Sequence, residues 1–136
     1  MTDKALKAIQ KHSDTPCTTG SASLPLVSII ITNYNYEKYL SECIESCLNQ
    51  DYPHCEVFLV DDCSTDGSEE IINKYTDKMT YIKHDKNKGQ LAAFFTGLKK
   101  ARGEFVVFVD ADDFLDEDAV SAHLYLHLFM NPPVGI

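Results

Sequence analysis

Four runs of β-branched and aromatic residues, alternating with stretches of helical spacing, constrain this chain more than any other feature. Val27 to Thr32, Glu56 to Asp61, Thr80 to His84 and Phe105 to Asp110 read as strands, the third of them short and suited to a sheet edge. Residues 37–50 place Leu40, Cys43, Ile44, Cys47 and Leu48 on one helical face, and Tyr52-Pro53 ends that helix. Asp66-Gly67-Ser68-Glu69 has the form of a capping box opening a helix to about Tyr75. Residues 90–102 put Leu91, Phe94, Phe95 and Leu98 on an apolar helical face closed by Gly103, and a last helix runs from about Asp116 to Met130. Strict alternation implies right-handed crossovers, hence an α/β fold with a mostly parallel sheet and helices on both faces.

Residues 104–113, Glu-Phe-Val-Val-Phe-Val-Asp-Ala-Asp-Asp, carry the chemistry. The apolar run reads as a strand buried on both faces, as in parallel sheets flanked by helices. Asp110, Asp112 and Asp113 then sit at the carboxyl end of that strand, where open α/β sheets bind ligands. Three carboxylates this close repel one another unless a cation or proton relieves them. A divalent metal is the economical answer, and such metals usually bridge a substrate's phosphates.

Composition narrows the partners. The chain has 136 residues, 44% of them hydrophobic, enough for one domain with its own core. A net charge of −9 leaves no basic stripe for nucleic acid. Five cysteines (17, 43, 47, 55, 63) form no metal-finger spacing, which favours reduced thiols and a cytoplasmic location over a disulfide framework. Cys43 and Cys47 are expected to fill core. No apolar stretch is long enough to span a membrane, although a longer parent protein could be anchored elsewhere. Residues 1–25 read as an N-terminal extension, a short helix over 3–11 and then a linker, so the folded unit is expected over 26–136. Pro132 to Ile136 looks like the turn into a fifth strand, so the chain is expected to stop inside a larger domain. The open edge this leaves could support a homo-oligomer.

Three polar clusters fall at strand ends: Thr32-Asn33-Tyr34-Asn35, Asp61-Asp62-Cys63-Ser64-Thr65-Asp66-Gly67 and Asp110-Ala111-Asp112-Asp113. A parallel sheet delivers all three to one edge. With Val27 to Asn35, Val60 to Ser68, Asn87-Lys88-Gly89-Gln90 and the Asp-Ala-Asp-Asp run in this order, the chain resembles the family 2 glycosyltransferases of the GT-A, Rossmann-like nucleotide-sugar fold, over about residues 26–136. The resemblance implies the donor-binding half of a metal-dependent, inverting enzyme that transfers a sugar from a nucleoside diphosphate, UDP by default, to an acceptor hydroxyl. It implies donor contacts at Thr32, Tyr34, Asp62, Lys88, Asp110 and Ala111, with Tyr34 stacking on the base and Asp62 accepting a hydrogen bond from it. Asp112, with Asp110 beside it, would hold Mg²⁺ or Mn²⁺. The catalytic base is expected beyond Ile136, and this chain alone is expected to transfer no sugar. Family members often carry Arg-Asn where this chain has Phe94-Phe95.

Plainer readings stand beside these. Asp66 reads first as a helix cap, Asp62 has an alternative as a turn residue, and Asp113 as a cap. Asp116, Glu117 and Asp118 suit a helix start. His123 and His127 share a helix face, where a packed or solvated role outweighs zinc. Lys83, Lys86 and Lys88 read as exposed loop charge. A signalling receiver domain, with its acidic metal pocket, is the rival class. Its paired acids follow the first strand, whereas here acids follow the second and fourth. A non-catalytic binding module is the other alternative.

Overall fold

A computed structural model describes residues 24–129; the expected helix over 3–11, most of the linker, Cys17, Met130 and the turn at 132–136 lie outside the described residues. The strands are β1 (Val27–Asn33), β2 (Cys55–Asp61), β3 (Thr80–Lys83) and β4 (Phe105–Asp110). They alternate with helices α1 (Glu37–Leu48), α2 (Ser68–Ile72), α3 (Gln90–Lys100) and α4 (Ala119–Phe129). The sheet has the order β3-β2-β1-β4, and every pairing is parallel. The α/β expectation holds, with helices on both faces.

The side-chain alternation of a strand sorts the core into two layers. Val27, Ile29 and Ile31 of β1 share a buried cluster with Leu40, Ile44 and Cys47 of α1, Ile72 of α2 and Val120 and Leu124 of α4. Cys43 and Cys47 are buried there as core residues. On the opposite face Ile30 meets α3. That helix packs through Ala93 and Gly97, its buried residues, whereas Leu91, Phe95 and Leu98 are exposed. Three of the four residues of the expected apolar face are therefore exposed, and only the half-buried Phe94 meets the sheet, at Phe108. The reason is close approach: a Cβ at Gly97 would stand 2.5 Å from Ile30 Cγ2, so only a small-residue stripe lets the helix sit this near β1.

The fourth strand also departs from expectation. Every residue of β1 is buried, but in β4 only Val109 is, and Phe108 is exposed. Among the described residues β4 pairs with β1 alone, and apart from Val109 its side chains are only half-buried or exposed.

Two helix starts differ in detail. The expected box at Asp66 does not close: the cap position falls on Gly67, one residue later, and the Glu69 carboxylate pairs with Lys83 Nζ at 2.9 Å to each oxygen. Instead Asp66 accepts the amides of Ser68 and Glu37, each at 3.0 Å, while Glu37 accepts the Gly67 amide at 2.5 Å. The starts of α1 and α2 thus cap each other across the chain. Helix α2 ends at Ile72 instead of Tyr75, its chain passing into tighter turns with Lys74 N–H on Ile71 O and Tyr75 N–H on Ile72 O. Helix α4 begins at Ala119, after the acidic residues and not among them.

The base of the sheet is tied by a polar clasp. Glu56 Oε1 accepts the Ser28 hydroxyl and the Arg102 amide, both at 2.7 Å, and Oε2 accepts the Arg102 guanidinium at 2.9 and 3.1 Å. Gly103 N–H donates to Ser28 Oγ at 2.8 Å, joining the approach to β4 with β1.

Candidate functional site

The strand register determines which side chains meet. Thr32 lies opposite Asp110 and Asn33 opposite Asp61, all at carboxyl ends of parallel strands. The ladder continues one rung further: Asp62 N–H reaches Asn33 O, Ala111 N–H reaches Thr32 O, and His84 N–H reaches Asp61 O. Beyond those rungs the chain must turn, and the turns are stitched by short polar side chains. Asn35 and Cys63 adopt positive φ, 59° and 65°. Asn35 Oδ1 accepts Thr65 N–H at 2.8 Å, and Ser64 Oγ accepts Asn35 N–H at 3.0 Å. Asn33 Nδ2 donates to the buried Asp61 carboxylate at 2.7 Å. The loops after β1 and β2 are therefore one hydrogen-bonded unit.

Those loops, with the entry to α3, enclose a cavity of about 310 Å³. Five sequence-predicted residues line it: Thr32, Tyr34, Asp62, Asp110 and Asp112. Tyr34 lines the cavity and is 43% exposed. Gln90 Nε2 donates to Asp110 Oδ1, and Thr32 Oγ1 reaches the same oxygen at 3.4 Å. One oxygen of Asp110 is thus held by the protein. Asp110, Asp112 and Asp113 offer carboxylate oxygens within 4.8 Å of one another, a hard oxygen donor set that fits Mg²⁺ or Mn²⁺.

Asp62 organises the cavity's far wall. Its Oδ1 accepts Lys88 N–H at 2.8 Å and faces His84 Nδ1 at 2.7 Å, while Oδ2 accepts Gly89 N–H at 2.8 Å. Burial raises the Asp62 pKa, but the Lys88 amide, the His84 ring and the Gly89 amide outweigh it and hold the carboxyl below its usual range. Glu56 behaves alike: burial pushes it up, and the Ser28 hydroxyl with Arg102 brings it below normal. A depressed folded-state pKa adds stability that is present above the ordinary carboxylate pKa of about 4 and lost as pH falls through the folded value. Urea unfolding should accordingly show stability falling below about pH 4, and Glu56→Gln should flatten that limb while lowering stability at neutral pH. An acid limb as steep in Glu56→Gln as in the parent would refute the Glu56 contribution.

Two predicted donor contacts lie outside the cavity wall. The Lys88 ammonium pairs with Asp85 at 3.0 Å, and what Lys88 gives the site is its amide. Ala111 is fully buried in the core cluster. Phe94 stacks edge-on against Phe108 at 4.7 Å and Phe95 is exposed, so neither ring lines the cavity. His127 packs edge-on against Phe105 at 5.0 Å, in keeping with the plain reading of that pair. Asn33, Tyr36, Asn87, Gly89, Gln90 and Ala93, none of them assigned a donor or metal role from the sequence, complete the lining. Sequence reasoning also passed over His84, a strand-end histidine in no recognisable motif, buried between Asp62 and Thr96. A wider depression of about 900 Å³, lined by Glu45, Tyr75, Lys78 and Arg102 among others, flanks the amino-terminal part of β2, away from the carboxyl-end loops and the acidic cluster.

Comparison with known proteins agrees with this geometry. Residues 28–128 match the family described as glycosyl transferase family 2. An uncharacterized glycosyltransferase of Haemophilus influenzae is 46% identical over 105 residues, 75% of this chain and 42% of that protein. The putative teichuronic acid biosynthesis glycosyltransferase TuaG of Bacillus subtilis is 36% identical over 74% of this chain and 41% of its own length. The chain thus spans about two fifths of these curated relatives. Among solved structures, S. aureus TarS 1-349 in complex with UDP superposes with a TM-score of 0.67 at 38% identity, covering 72% of this chain and 30% of that one. The mannosyltransferase PcManGT of Pyrobaculum calidifontis, in complex with GDP-Man and Mn²⁺, gives 0.70 at 27% identity over 90% of this chain and 39% of its own.

Proposed function

The chain belongs to glycosyl transferase family 2, and from that premise we propose that residues 26–136 form the donor-binding part of a metal-dependent, inverting enzyme. The reaction moves a sugar from a nucleoside diphosphate, UDP in the first instance, to an acceptor hydroxyl. One observation carries the reading: Thr32, Tyr34, Asp62, Asp110 and Asp112, spread over 80 positions, line a single cavity. The UDP and GDP-Man complexes of the two solved relatives support a nucleotide-sugar partner.

Each residue's part follows from its surroundings. Tyr34 is a partly exposed aromatic side chain in the cavity lining, suited to stacking on a base. Asp62 Oδ2 takes one amide, leaving acceptor capacity on a carboxylate that lines the cavity, suited to an N–H of the base. Asp110, steadied by Gln90 and Thr32, and the exposed Asp112 would hold Mg²⁺ or Mn²⁺. When bound, such an ion supplies Lewis-acid stabilisation of the departing diphosphate. The acidic wall would otherwise repel phosphate, so nucleotide binding and metal binding are coupled. No residue of this chain is assigned as the base that deprotonates the acceptor. Among the described residues no helix is long and apolar enough to cross a membrane, and the unpaired thiols fit a cytoplasmic setting.

Thermal unfolding with uridine and guanosine diphosphates tests the proposal. UDP with Mn²⁺ should raise the midpoint, while UDP with chelator should not. At a hundredfold excess over Kd the gain is about 2.7 kcal/mol. A midpoint that no nucleoside diphosphate moves, with or without Mn²⁺, would overturn the reading.

A further inference from the structure

We propose that His84 is a positioning residue for the nucleotide cavity: it holds Asp62 in the orientation that clamps the loop leading into α3. This rests on the nucleotide-binding reading for its functional consequence, and on geometry alone for its structural one. His84 is 5% exposed, directly after β3, with its amide on Asp61 O at 2.8 Å. Its ring bridges two elements: Nδ1 lies 2.7 Å from Asp62 Oδ1, at the end of β2, and Nε2 lies 2.8 Å from Thr96 Oγ1, within α3. Thr96 Oγ1 also reaches Ala92 O at 3.0 Å, which anchors that end of the bridge to the helix backbone. Both ring nitrogens are therefore satisfied in a buried site, and the ring plane is fixed from two sides.

That plane matters because of what Asp62 does with its other bonds. Its carboxylate takes the consecutive amides of Lys88 and Gly89, one on each oxygen. Gly89 has φ of 89°, open space where a Cβ would stand, and an amide shared between Asp62 Oδ2 and the local acceptor Asn87 Oδ1 at 3.0 Å. The two hydrogen bonds to Asp62 are the ones that tie this turn to the end of β2. Asn87, Gly89 and Gln90 line the cavity, and Gln90 goes on to Asp110. The chain of contacts runs from His84 to Asp62, then to the 88–89 amides, and so to the wall facing a bound diphosphate nucleoside. A carboxylate free to rotate would lose the simultaneous fit to both amides.

Two variants separate positioning from packing. His84→Phe keeps a ring and removes both hydrogen bonds. His84→Asn leaves a larger void but can still donate to Asp62. Amide hydrogen exchange in the ligand-free chain is the first readout. Exchange at Lys88 and Gly89 should speed up about tenfold in His84→Phe and return toward the parent rate in His84→Asn. Calorimetric titration with UDP and Mn²⁺ is the second. His84→Phe should bind about tenfold more weakly than the parent, and His84→Asn should recover most of the loss. Should the phenylalanine variant fail to fold, His84→Leu is read the same way. Unchanged exchange at Lys88 and Gly89 overturns the inference whether or not the parent binds UDP. Equal impairment of the asparagine and phenylalanine variants overturns it too, because that is the pattern of lost packing. A parent that binds no nucleotide would sink the proposed function, while the exchange result would still decide what His84 does.

Discussion

Asp112→Asn is expected to abolish Mn²⁺-dependent binding of UDP while leaving the folded state as stable as before. Asp112 is exposed and lies in the turn after β4, outside the buried cluster, so no core contact depends on it. Its carboxylate belongs to a group of three whose oxygens come within 4.8 Å of one another. Without metal, converting one of three like charges to an amide relieves repulsion, and stability should be unchanged or slightly higher. With metal the sign reverses. Mg²⁺ and Mn²⁺ typically rely on one or two protein carboxylates plus phosphate oxygens, so losing a charged ligand removes much of the protein's share of the site. Calorimetry should show parent binding that needs Mn²⁺ and none in Asp112→Asn, with superimposable urea curves for the two apo chains. Equal affinity in both chains would take the metal away from Asp112. A lower apo stability would instead make this residue structural.

The features legible in the sequence are those governed by strong local rules. Val27 to Thr32 is a β-branched run that could only be a buried strand, and it is the fully buried β1. Polar residues directly after such runs had to fall on one edge of a parallel sheet, and Thr32, Asp62 and Asp110 do share a cavity. What failed depended on distances between elements. Leu91, Phe95 and Leu98 have the spacing of a core-facing stripe, yet Ala93 and Gly97 face the sheet. Hydropathy rewards large side chains, whereas a helix lying close to a strand needs small ones. Burial of β4 was overestimated for a related reason: its composition suits a central strand, but among the described residues it pairs with β1 alone. Lys88 was read by its charge, although its amide is what reaches Asp62. His84 carried no motif, since its partners lie 22 and 12 positions away. Asp66 was legible as a cap, but its second partner, the Glu37 amide, belongs to another helix.

Close backbone approach should also produce the largest stability loss, at Gly103 and not at the helical Gly97. A Cβ on Gly103 would stand 2.6 Å from Ser28 N and 2.8 Å from Phe105 O, backbone atoms of the paired strands β1 and β4, and 2.5 Å from Ser28 Oγ. Backbone in a paired ladder cannot step aside without breaking it, and Gly103 N–H on Ser28 Oγ would be displaced as well. Gly103→Ala should therefore cost about 3 kcal/mol, near the upper end for overpacking. At Gly97 two effects oppose. The new methyl meets Ile30 Cγ2 at 2.5 Å, a side-chain atom in a buried layer, but alanine in place of glycine favours a helix by about 1 kcal/mol. Gly97→Ala should then cost only about 1 kcal/mol net. Leu91→Glu supplies the control, because a side chain 70% exposed should change stability by no more than about 0.5 kcal/mol. Urea midpoints of the three variants should fall in that order, Gly103→Ala lowest. A Gly103→Ala midpoint equal to the parent's would mean that β1 and the approach to β4 are not in the contact described. A large loss in Leu91→Glu would mean that the outer face of α3 is covered in solution.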